Sequence, residues 1–92
     1  MARKAKYSEE WRNRAAALQA KIEDAMVLAS SSIGDYGWLQ RLYLWVMDVA
    51  QGTAPDWWTD FDCEVSIPRE EKRVSMFLAT QRKRITLQMC LA

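Results

Sequence analysis

Trp11, Ala15, Leu18, Ile22, Met26 and Ala29 recur at steps of three or four residues with polar positions between them, the spacing of one apolar stripe along an α-helix. Ser8 is a favourable N-cap, and Glu9 and Glu10 suit the positive end of the helix dipole, so a helix is expected over 9–29. Glu10 and Arg14, one turn apart, can pair on its outer face. Three serines at 30–32, then Gly34 and Gly37, break the pattern. A second helix is expected over 38–51, capped by Asp35 and ended by Gly52 and Pro55. Leu39, Leu42, Val46 and Val49 form its main stripe, but Trp38, Tyr43, Leu44, Trp45 and Met47 carry apolar surface around most of the circumference. Such a helix is central to the fold or covered by a partner.

Beyond an acidic, aromatic loop over 55–62, the period shifts towards two. Cys63, Val65 and Ile67 alternate with Glu64 and Ser66; Val74, Met76 and Leu78 alternate with Ser75 and Phe77; Ile85, Leu87, Met89 and Leu91 alternate with Thr86, Gln88 and Cys90. Three antiparallel strands in a meander account for this, with turns at 68–72 and 80–83. The expected fold is an α+β domain in which two N-terminal helices pack on a three-stranded antiparallel β-meander, ααβββ. Arg84 at the start of the third strand would discourage pairing at that edge. The 92 residues suit one domain, with 1–7 as a basic tail.

Charge adds a second layer. Residues 1–21 carry a net +4, residues 22–68 a net −7 and residues 69–92 a net +4, which the overall +1 conceals. The basic ends suit phosphate or an acidic surface, and the acidic middle suits a basic partner. On a meander, Arg69, Lys72 and Arg73 at one turn and Arg82, Lys83 and Arg84 at the next would project six cations from one end of the sheet, a geometry for phosphate backbones. Hairpin turns are also charged for solubility alone, and Glu70 and Glu71 offset part of the first group. Arg3, Lys4 and Lys6 in the tail form a further basic group, which can serve solubility or meet an anionic partner. The neighbouring tryptophans Trp57 and Trp58 can divide their roles, one anchored in the core and one exposed at an interface, with Asp56, Asp60 and Asp62 turning that interface towards a basic protein.

Catalytic and metal chemistry find little footing. The chain has no histidine, no nucleophile elbow and no glycine-rich phosphate loop, so a non-enzyme without cofactors is expected. Cys63 and Cys90 lack zinc spacing and read as reduced thiols. Asp60, Asp62, Glu64, Ser66 and Glu71 match an EF-hand count, but Val65 and Pro68 occupy positions the calcium loop cannot give up, and no metal is expected. No signal-like or membrane-spanning run is present, which points to a cytoplasmic protein without a membrane partner.

These features favour a stoichiometric inhibitor or modulator that occludes a surface of a larger nucleic-acid-containing complex. Direct binding of a DNA or RNA backbone through the basic turns and tail is the alternative. A homo-oligomeric structural subunit, motivated by the apolar second helix, is the third. In format, as a small, histidine-free, motif-poor single domain, the chain resembles the inhibitors that bacteriophages make against host defences, anti-CRISPR proteins among them. That resemblance covers size and character and implies action by occlusion.

Overall fold

The computed structural model describes residues 6–29 and 33–91, with side chains at 33 and 88–91 left aside. It contains three α-helices, α1 (Glu9–Leu28), α2 (Ile33–Gln51) and α3 (Asp60–Leu91), and no strand among the described residues. The expected α+β fold is therefore corrected to an all-helical one. The segment 63–91, expected to form a meander, is one continuous helix.

The reason lies in which apolar residues α3 buries. Cys63, Ile67, Val74 and Leu78 are buried, with Glu70 between them, at steps of three and four residues. Val65 and Met76, which an alternating strand would place beside Ile67 and Val74, are 50% and 63% exposed. The two supposed turns are rich in Glu, Lys, Arg and Gln, good helix formers, and contain no Gly, Asn or Asp to supply hairpin geometry. Pro68 is the one local objection to a helix. It cannot donate to the Glu64 carbonyl, but both residues are exposed, so water can take that bond.

The ends of the helices are tied together. Thr59 and Asp62 form one half of a capping box on α3: the Asp62 carboxylate accepts from the Thr59 backbone N–H at 2.9 Å and from its hydroxyl at 3.1 Å. The Asp60 carboxylate accepts from the Ser8 backbone N–H at 2.9 Å, which fixes the start of α1 beside the start of α3. Ser8 holds the N-cap position of α1, but its hydroxyl makes no capping bond. Gly52 ends α2 with φ of 77°, a left-handed conformation that glycine adopts without penalty. The Gly52 N–H then bonds the Val49 carbonyl, and the Thr53 N–H bonds the Asp48 carbonyl, the paired bonds of a Schellman stop. Helix α2 also starts earlier than expected, so that Asp35, Gly34 and Gly37 lie within it.

Packing centres on α1, whose Ala15, Leu18, Ile22 and Ala25 are buried. Leu39, Val46 and Val49 of α2 cover this stripe from one side, and the buried stripe of α3 covers α1 from another. Tyr7 belongs to the core, in place of the tail to which it was assigned: its hydroxyl donates to the Val49 carbonyl at 2.6 Å. Arg14 pairs with Glu71 of α3 rather than with Glu10 and lies over the Trp11 ring at 4.7 Å. Leu78 is the last buried residue of α3 among the described side chains. From there the helix continues for about 20 Å, at 1.5 Å per residue, as an arm beyond the bundle. The molecule measures 56 × 20 × 18 Å.

Candidate functional site

Helices α2 and α3 meet through long side chains, and a cleft of about 480 Å³ opens between them. On α2, Trp38, Arg41 and Trp45 follow one another at i, i+3 and i+7, which aligns them on one face. On α3, Ser66, Arg69 and Arg73 do the same opposite them. Trp58, from the loop before α3, lines the cleft beside Trp45, edge to face at 5.1 Å. Trp38 packs edge to face on Phe77 at 5.6 Å, and the Arg73 guanidinium lies 4.2 Å from the centre of its ring.

Glu70 supplies the unusual element. It falls on the buried stripe of α3 and is 7% exposed, yet it lines the cleft. Arg69 Nε lies 3.5 Å from its Oε1, and Arg73 Nη1 lies 3.6 Å from its Oε2. These are ion-pair distances, too long for hydrogen bonds, and Oε2 has no hydrogen-bond partner. Three arginines against one carboxylate leave the cleft cationic, walled by tryptophan.

The basic residues singled out in the sequence separate into two groups. Arg69 and Arg73 lie on the cleft side of α3, and Lys72 points away from them. Arg82, Lys83 and Arg84 are exposed on the arm, starting about 13 Å further along, and none forms an ion pair among the described residues. Being consecutive, they fan over about 200° of the helix circumference. The expected single cationic pole of two turns is thus replaced by a cleft edge and an arm. Lys6 is exposed, whereas Arg3 and Lys4 lie outside the described residues.

The acidic, aromatic loop is reassigned as well. Trp58 is buried and donates from Nε1 to the Cys63 sulfur at 3.0 Å, while Trp57 is 70% exposed. Asp60 and Asp62 are engaged at the starts of α1 and α3, and Asp56 and Trp57 of the expected protein-facing patch are exposed. Cys63 is fully buried, and burial pushes its thiol above the ordinary value despite the Trp58 hydrogen bond; it is not a poised nucleophile. Cys90 lies outside the described side chains.

Sequence reasoning missed Trp38, Arg41, Trp45 and Glu70 as members of one site. The available signal was a charged residue at a core position: once 63–78 is given a helical period, Glu70 falls in line with Ile67 and Val74. No helix among the described residues is long and apolar enough to cross a membrane. Neither family models nor curated proteins nor solved structures give a match to this chain.

Proposed function

We propose that the protein is a non-catalytic binding protein that modulates a larger nucleic-acid-containing assembly by laying the arm of α3 along its phosphate backbone and occluding that surface. The observation that carries this reading is the arm itself. Past Leu78 the helix runs on with Arg82, Lys83 and Arg84 exposed and Ile85 and Leu87 also open to solvent. None of the described side chains beyond Leu78 is buried, so a surface that receives the arm also stabilises it. Cations fanned around a rod fit an anionic groove better than a flat acidic patch. The buried, protonated state of Cys63 and the absence of histidine agree with a role in binding rather than catalysis.

The test is fluorescence anisotropy with labelled duplex DNA and duplex RNA across a salt series. Association should weaken with salt at a log–log slope of about −2.7 if the three arm cations each neutralise one phosphate. R82A/K83A/R84A should flatten that slope towards zero. No association at about 50 mM salt would refute the reading. Self-association is a second reading, supported by Phe61, Val65, Met76 and Leu87, which are exposed along the outer side of α3 with Lys72 and Lys83 between them. The apolar girth of α2 no longer supports it, because α1, Trp58 and Phe77 cover much of that helix. Light scattering decides this reading: a mass that stays monomeric at high concentration removes it.

A further inference from the structure

We propose that the cleft between α2 and α3 is a binding site for a nucleotide, with the base held against tryptophan, the phosphate among the arginines, and Glu70 accepting a hydrogen bond from the base. Three features of the cleft each select part of such a ligand. The excess of Arg41, Arg69 and Arg73 over Glu70 selects an anion, and arginine favours the planar oxyanion geometry of phosphate. Trp45 selects a flat ring, since every nucleobase has a face that stacks on tryptophan, while Trp38 holds the Arg73 guanidinium 4.2 Å from its ring centre. Oε2 of Glu70, on a side chain more than nine-tenths buried, has Arg73 at an ion-pair distance of 3.6 Å but no hydrogen bond, and so selects a hydrogen-bond donor.

Glu70 is the element that a merely cationic groove would lack. A carboxylate on the floor of such a site repels a bare phosphate and would weaken anion binding unless it met a donor. Ligand and carboxylate therefore complement each other only if the ligand carries an N–H group at one end and negative charge at the other. A nucleotide does both, and the cleft volume lies in the range of small-ligand sites. The same base and phosphate chemistry occurs in a free mononucleotide and in an unpaired nucleotide of a strand. This site does not depend on the arm: its residues are distinct from Arg82, Lys83 and Arg84, and either proposal can fail alone.

The probe is guanosine 5′-monophosphate, because guanine presents two adjacent N–H donors on one edge. Binding is followed by tryptophan emission and by calorimetry, with inorganic phosphate as the comparison. The nucleotide should saturate the emission change and bind more tightly than phosphate. Glu70→Gln, whose fold is checked by circular dichroism, should weaken the nucleotide at least about tenfold, the size of one hydrogen bond to a charged group, without weakening phosphate. Arg41→Ala, an exposed position that spares the core, should weaken both ligands. A short single strand that binds more tightly than the mononucleotide identifies a strand as the source, and one that binds more weakly identifies the free nucleotide; both support the site. The proposal is overturned if the nucleotide causes no emission change or heat, if phosphate binds as tightly, or if folded Glu70→Gln or Arg41→Ala binds the nucleotide unchanged.

Discussion

Replacing Ile67 and Val65 by alanine, one at a time, separates a helical from an extended course for 63–78. In the helix Ile67 is fully buried in the core, and Val65 is half exposed. Ile67→Ala deletes three carbons, about 2.5 kcal/mol of transfer free energy at ~0.8 kcal/mol each, and the residual cavity raises the loss to about 3–4 kcal/mol. Val65→Ala removes half-exposed surface while gaining helix propensity, so the two effects cancel to within about 0.5 kcal/mol. A 92-residue domain has about 5–14 kcal/mol in total, so the first change is severe and the second is nearly silent. At roughly 4–8 °C per kcal/mol, Ile67→Ala should lower Tm by about 12–30 °C and Val65→Ala by no more than a few degrees. Thermal and urea unfolding followed at 222 nm by circular dichroism reads both. Similar losses at the two positions, as a strand with Cys63, Val65 and Ile67 on one face demands, would refute the helical register.

Tyr7→Phe removes the donor to the buried Val49 carbonyl at 2.6 Å and should cost about 1–2 kcal/mol in urea unfolding; no loss would mean that the start of the described chain is not anchored. Asp62→Ala removes the carboxylate that accepts from both the Thr59 N–H and its hydroxyl and should cost about 1 kcal/mol, with hydrogen exchange rising first in the opening turn of α3. Burial raises the Cys63 thiol above its ordinary 9.0 and the Tyr7 phenol above its ordinary 10.0. Both groups hold their protons longer folded than unfolded, so their contribution is complete below those ordinary values and is lost as pH rises through the folded ones. Unfolding free energy should therefore fall from about pH 9 upward, and stability that stays level to about pH 11 would contradict the burial of both groups.

Helices α1 and α2 were legible because their periodicity is unambiguous over many turns: Ala15, Leu18, Ile22 and Leu39, Val46, Val49 are the residues that the core contains. Helix α3 was not, because over five residues Cys63, Val65 and Ile67 satisfy a period of two as well as a period near four, and β-branched residues and Pro68 weighted the choice towards strands. Two signals pointed the other way. The supposed turns lacked Gly, Asn and Asp, and Thr59–Asp62 had the spacing of a capping box that was read instead as part of an acidic loop. The capping role of Asp60 and Asp62 could not be separated from a binding role by composition, since a carboxylate at a helix start and a carboxylate at an interface look alike in a sequence.

The same correction explains why α2 is apolar almost all the way round. One flank, Leu39, Val46 and Val49, packs against α1 at close range, where small and branched side chains suffice. The other flank faces α3 across a wider gap, and only residues as large as Trp38 and Trp45, met by Phe77 and Trp58, reach across it. Rings bridging a gap pack edge to face and leave space between their supports, so the aromatic content that holds the third helix also creates the cleft. Arg73 on the Trp38 ring and Glu70 beneath the arginines then follow from the i, i+3 and i+4 neighbours that α3 must present to that space. Enlarging the bridge should close the site: Ser66→Leu, at a half-buried cleft position, should preserve or raise stability by covering Trp45 and Trp58 while abolishing the tryptophan emission response to the nucleotide probe. A variant of equal stability that still responds would mean that the emission change arises elsewhere, at Trp11 or the exposed Trp57.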